Sequence, residues 1–354
     1  MSETVTAPSP FALELSSLRG LLVIDLADDP IYRTLEPQLI DGADGAGLTL
    51  LAYRHDGRVE LYAEPHLQVD PSGYDGLEQG LAGIERAAFD PARFEITDDG
   101  LKVDIAFTAP NGRRIELHLH EHLRARRDHF PLLAPVGGSF DAPAFFPFLW
   151  LPTMSFVPVR RSEVALRLDG QPRAISRLPL PIGGRRCLMA RYDLDAMVCQ
   201  LNPSWSADPT QRLAGAAGTS PPDGRDVVDV DGEPSLAGLG VRRGVHSCAV
   251  RLEPPLPDPL RVAPPAHRQG RVQLEADGAI QLQGRYELER TTDRVTLVID
   301  RIGPWRTRQR RPLLGVLFRL PIFRRWPTTY RWEATLDLTA SPGSPWTSRW
   351  SRSG

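Results

Sequence analysis

VQLEADGAIQLQGRYELERTTDRVTLVID, residues 272–300, decides how this chain reads. Val272 and Leu274 alternate with Gln273 and Glu275, and the alternation resumes at Tyr286, Leu288, Val295 and Leu297. A period of two is that of a strand with one face in a core and the other in contact with water. Between the runs stand Asp277-Gly278 and, further on, Thr292-Asp293, which are tight-turn residues. Strands joined by such short turns run antiparallel, so the stretch predicts a three-stranded meander.

The same grammar recurs outward from it. LTLLAYRHDGRVELYAEP turns at Asp56-Gly57, and FEITDDGLKVDIAF at Asp99-Gly100. DIAFTAPNGRRIELHLH turns at Asn111-Gly112, and VALRLDGQPRAIS at Asp169-Gly170. Helical periodicity is weak; GLEQGLAGIERAAF, residues 76–89, is the best helix candidate, and a second short one is expected within residues 11–22. The fold expected is therefore all-β, with antiparallel meanders forming two barrel-like or sandwich units and few short helices. The Pro/Gly-rich stretches 202–224 and 253–270 break the pattern. They suggest an N-terminal β unit over residues 1–200, a linker or loop at 201–224, a C-terminal β unit at 225–340 and a loose tail at 341–354.

Composition narrows the function. The chain has 354 residues, 41% hydrophobic and 24% charged, the balance of a folded protein. Its net charge of −2 offers no field for nucleic acid, and no nucleic-acid partner is expected. Of the basic residues only Lys102 is a lysine, so a Schiff-base mechanism would have to use it. Three cysteines without a C-x-x-C indicate neither a disulfide framework nor a thiolate zinc site, and fit a reducing, cytoplasmic setting. The N-terminal MSETVTAPSPFALELSS has no basic segment followed by an apolar one, so no leader is expected. Residues 142–159 are uncharged, but Pro143, Pro147, Pro152 and Pro158 would break a spanning helix. Phosphate-binding, dinucleotide and nucleophile-elbow glycine motifs are absent. DVVDVDGE, residues 226–233, has Val227 where a calcium loop needs a ligand, and reads as a strand entering a turn.

GRYELERTTDRVTLVID (284–300) and YRWEATLDL (330–338) resemble successive barrel strands of the two-domain lipocalin-like proteins of the carotenoid hydratase type. The resemblance is architectural and covers about half of the chain. It implies an apolar ligand such as an isoprenoid or lipid, and it carries no residue role.

Chemistry is concentrated in ELHLHEHL, residues 116–123. On a strand, Glu116, His118, His120 and His122 share one face and Leu117, Leu119 and Leu123 the other. Imidazoles and a carboxylate at that spacing suit a zinc or iron site with His118, His120 and His122 as ligands. They equally suit acid–base work by His118, His120 and Glu116 with Asp104, or a solvated strand face. Gly112 followed after five residues by His118-Leu119-His120 resembles the opening of the cupin metal motif, but Arg124 and Ala125 stand where its glutamate belongs. A three-residue loop Pro110-Asn111-Gly112 puts Leu101, Val103, Ile105 and Phe107 with Ile115, Leu117 and Leu119. Asp104 and Lys102 then join the histidines on the polar face.

RTRQRRPLLGVLFRLPIFRRW, residues 306–326, has seven arginines and no acid around an apolar centre. It is too short and proline-broken to span a bilayer. It reads as a buried connection, as a lid over an apolar pocket, or as a peripheral contact with a membrane surface. The pocket expected under such a lid is lined by Phe145, Phe146, Phe148, Trp150, Leu317, Phe318, Phe323 and Trp326. AFFPFLW (144–150), with its prolines, reads as an extended crossover. Together these features lead to the binding of an apolar small molecule such as a lipid, terpenoid or polyketide, with hydration, isomerisation or cyclisation as the chemistry it would undergo. The alternatives are a metal-dependent β-barrel enzyme built on the histidine row, and a non-enzymatic protein docking a partner through residues 306–326.

Overall fold

In the computed structural model the stretch 272–300 lies within three consecutive strands, Ala266–Ala276, Ala279–Arg290 and Arg294–Asp300. Asp277 and Gly278 both take positive φ (48° and 69°), the pair of left-handed residues that a two-residue hairpin turn requires. Val272, Leu274, Leu282, Leu288, Val295, Leu297 and Ile299 are buried, as the alternation predicts. The structure describes residues 4–8, 11–69, 71–74, 81–98, 100–122, 129–134, 143–203, 212–216, 224–230, 233–305, 325–339 and 346–352.

The chain is all-β: 67% strand, with several antiparallel sheets and one sheet curled into a half-barrel, and among the described residues no helix reaches seven residues. Among the described residues no helix is long and apolar enough to cross a membrane. It divides into two compact units, one formed by residues 1–16, 133–150 and 197–354, the other by residues 17–132 and 151–196.

All seven tryptophans fall in the residue ranges of the first unit, here called the tryptophan unit; Trp205 lies outside the described residues. Its main sheet is an eight-stranded antiparallel meander in sequence order from Gly224–Val230 to Thr347–Arg352. Gly224–Val230 pairs antiparallel with Glu233–Arg243, so Asp226, Asp229 and Glu233 of the acidic 226–233 stretch lie on strands. The stretch expected as a loose tail holds the last strand, and Trp346 and Trp350 on it are buried. Within the expected linker, Arg212–Ala216 pairs antiparallel with Thr4–Pro8.

The second unit is a sandwich. One sheet runs Cys187–Asp193, Leu18–Asp25, Tyr32–Gly42, Gly45–Arg54, Val59–Ala63, Leu81–Arg86. The other runs Gln171–Pro172, Ser162–Leu168, Arg114–Glu121, Gly100–Thr108, Ala92–Thr97. Leu22, Leu35, Leu50 and Tyr62 of the first sheet and Val103, Ile105, Leu117 and Leu166 of the second share one buried core.

Three local expectations are corrected. Residues 81–86, inside the helix candidate 76–89, form a strand parallel to Val59–Ala63. Three glycines weaken the helix there, and the open edge of Val59–Ala63 supplies hydrogen-bond partners that the run can satisfy only when extended. The candidate within 11–22 is likewise strand, Leu13–Leu15 and the start of Leu18–Asp25. Residues 146–150 of AFFPFLW open the 13-residue strand Phe146–Pro158. That strand changes partner midway, and Pro147 and Pro158 stand within its ladders, opposite Gln200 and Cys187. Residues 146–150 pair with Met197–Leu201 and residues 155–158 with Cys187–Asp193, so Pro152 falls between the two ladders.

Candidate metal centre

The site grows from one turn. Ala109 N–H donates to the Arg113 carbonyl (2.7 Å) and Gly112 N–H to that of Ala109 (2.8 Å), which closes a three-residue loop with Gly112 at φ 85°. That register sets His118 opposite Asp104, His120 opposite Lys102 and Glu116 opposite Ala106. With Leu101, Val103, Ile105, Ile115, Leu117 and Leu119 in the core, the imidazoles are held on the other face of the sheet.

Neighbouring strands complete that face. Ala92–Thr97 brings Arg93 opposite Asp104 and Glu95 opposite Lys102. Ser162–Leu168 brings Glu163 opposite His120, Ala165 opposite His118 and Arg167 opposite Glu116. Ala106 and Ala165 are too small to fill their positions, and an open groove of about 330 Å³ forms over them, bounded by Pro91, Asp104, Glu116, His118 and Arg167.

At its edge three side chains converge. Asp104 Oδ1 lies 2.6 Å from His118 Nδ1, and Oδ2 lies 2.8 Å from His120 Nε2. The two imidazole rings are 4.1 Å apart. One oxygen and two nitrogens able to bind a metal lie within 4.8 Å of one another. The side chains are 42% (His118), 20% (His120) and 18% (Asp104) exposed, so the cluster is open to solvent without lying loose on the surface. Burial pushes the Asp104 carboxyl up, but hydrogen bonds to His120 and then His118 outweigh it and hold it below the usual carboxylate range.

The other expected members are engaged elsewhere. Glu116 is held by Arg114 (2.9 Å) and does not orient an imidazole. His122 pairs through Nε2 with Glu163 (3.0 Å), while its backbone N–H bonds Arg161. Asp104 therefore takes the place that spacing gave to His122. Arg167 went unnoticed in the sequence. Its signal was Glu163, Ala165 and Arg167 at alternate positions of a strand that also pairs with the histidine strand.

The expected apolar lining lies in the tryptophan unit. Phe145, Phe146, Phe148, Trp150 and Trp326 are all buried. Phe146 stacks on Trp326 (5.6 Å), meets Tyr330 edge-on (4.9 Å) and lies 5.5 Å from Trp350. Trp150 donates its indole N–H to Asp277 (3.0 Å). Leu317, Phe318 and Phe323 lie outside the described residues, as does most of the arginine-rich stretch at 306–326. Comparison with protein-family models, with curated proteins and with solved structures finds no match.

Proposed function

We propose that the protein binds a divalent transition-metal ion of the zinc or iron class through Asp104, His118 and His120, and presents it to a small molecule in the adjoining groove. The convergence of three ligand atoms within 4.8 Å on one rigid sheet face carries this reading. A strand places its i and i+2 side chains side by side, and the directly opposed residue of the next strand supplies the third ligand. Two imidazoles and a carboxylate leave a four-coordinate ion one position free for water or substrate. Both imidazole nitrogens aimed at Asp104 would give up a proton or hydrogen bond to the ion, with the carboxylate already ionised to receive it.

Metal analysis after equilibration with zinc and removal of free ion tests this. One ion per chain is expected, and it should be lost from His120→Ala and Asp104→Asn while His122→Ala retains it. Loss of a second-sphere partner alone weakens metal sites by about 10–100-fold, so loss of a ligand should exceed that. A wild-type chain that holds no stoichiometric zinc, iron or copper would end this reading.

A second reading, binding of an apolar small molecule such as a lipid, terpenoid or polyketide, is the one the lipocalin-like resemblance implies. It is supported by the indole N–H groups of Trp326 and Trp332, which are buried beside Phe146 and Phe11 without a hydrogen-bond acceptor among the described residues. A ligand oxygen would satisfy such donors, which are costly to leave unpaired. Native mass spectrometry should then find a co-purifying hydrophobe; purified chain consistently free of one counts against it.

A further inference from the structure

The groove beside Asp104 and His118 has a second end. Ser162–Leu168 pairs with the histidine strand so that Ala165 stands opposite His118 and Arg167 opposite Glu116. Alternate positions share a face, so Arg167 rises from the same face as His118, one step along the groove. Diagonal neighbours of this kind lie about 7–8 Å apart, a separation that a short molecule can bridge. The groove of about 330 Å³ is bordered by both residues, and Ala106, Ala165 and Pro91 leave it open between them.

An exposed arginine alone signals nothing; this one borders the groove of the three ligand atoms, and its charged neighbours are engaged elsewhere. Glu116, directly across from it, is held by Arg114 (2.9 Å). Arg93 is tied to Glu95, and Glu163 to His122 (3.0 Å). Among the described residues Arg167 itself has no hydrogen-bonding or ion-pair partner. A divalent ion on Asp104 keeps one positive charge in excess, and Arg167 supplies another at the far end, while the Glu116–Arg114 pair adds none. The groove with its ion is thus cationic at two points. A guanidinium fork matches a carboxylate, and the open position of a three-ligand ion takes an oxygen donor. A phosphate dianion ordinarily draws several donors, whereas a single unpaired guanidinium suits a singly charged carboxylate.

We propose that the groove takes a small carboxylic acid carrying a second oxygen donor. Its carboxylate sits on the Arg167 guanidinium, and its other oxygen, a carbonyl or hydroxyl, sits on the ion held by Asp104, His118 and His120. The inference rests on the metal reading and names the substrate class of that same site. Arg167 sets specificity and holds no metal. Without the ion, the groove presents the carboxylates of Asp104 and Glu116 to an incoming anion and repels it, so binding requires both ends.

Titration calorimetry of the zinc-loaded full chain with levulinate, and with levulinamide as the uncharged molecule of the same length, tests the proposal. Levulinate should bind at least about tenfold more tightly than levulinamide, the increment of a charge-assisted pair. Arg167→Met, which keeps an apolar stem and removes the charge, should bring levulinate down to the affinity of the amide, and Arg167→Lys should recover part of the difference. Both variants should still hold one zinc per chain, and metal-free chain should bind neither probe. Equal affinity of zinc-loaded wild type for the two probes, or binding of neither, would overturn the carboxylate assignment and leave the metal centre standing, since zinc content is measured on the same samples. Undiminished levulinate binding by metal-free chain would overturn the bridged geometry. A wild-type chain that takes up no zinc, iron or copper would end this inference together with the reading beneath it. The wild-type comparison of the two probes needs no variant to fold.

Discussion

Asp193 shows how one buried carboxyl can set a pH dependence. It is fully buried, accepting from Thr153 N–H (2.7 Å), the Thr153 hydroxyl (3.2 Å) and Asp195 N–H (2.7 Å). Burial outweighs those bonds and pushes its pKa up to about 6. In the unfolded chain the same group titrates near 3.8, so between about pH 4 and 6 the native state holds the extra proton. Stability from this group is therefore present at the acid end, is lost as pH rises through that window, and is level above it. A shift of about two units corresponds to on the order of 3 kcal/mol. Urea titrations at pH 4 and pH 7 should show the wild-type advantage over Asp193→Asn shrinking by up to that amount. A gap of constant size would mean that Asp193 ionises normally. Asp104 works in the opposite direction: its lowered pKa contributes stability at neutral pH that is lost on acidification.

Hairpins were legible because each one is encoded locally. Asp56-Gly57, Asn111-Gly112, Asp169-Gly170 and Asp277-Gly278 all sit between paired strands, and Gly57, Gly112, Gly170 and Gly278 all take positive φ. The Asn111-Gly112 loop also fixed which face carries the histidines, so Asp104 could be paired with His118 and His120 from spacing alone. What stayed hidden depends on partners distant in the chain. Whether residues 81–86 become helix or strand is decided by the edge of Val59–Ala63. The role of His122 is decided by Glu163, 41 residues on. A polar network around Glu36 joins Asp25, Gln38, Tyr53, Tyr74 and Arg191 from five separate elements. Read one strand at a time, each was only a polar residue in an alternating run.

At the scale of the whole molecule, the chain passes between its two units after residues 16, 132, 150 and 196. Neither unit is one continuous piece. A cut in the Pro/Gly-rich stretch after residue 203 would separate Phe146 from Trp326, Tyr330 and Trp350, Phe11 from Trp332, and the Leu201 and Asn202 carbonyls from the Trp350 indole. Exposing that many aromatic faces favours association over folding. Expressed alone, fragment 1–203 should aggregate, and co-expression with 204–354 should restore soluble chain; a monomeric fragment with a cooperative melt would refute this. The confinement of every indole to one unit has an optical corollary. Light absorbed only by tryptophan excites that unit and leaves the other, whose aromatic rings are phenylalanine and tyrosine, dark. Emission then follows denaturation of the indole-bearing half alone, while circular dichroism sums over both, and divergence between the two signals would reveal a half-unfolded species that either one by itself would miss.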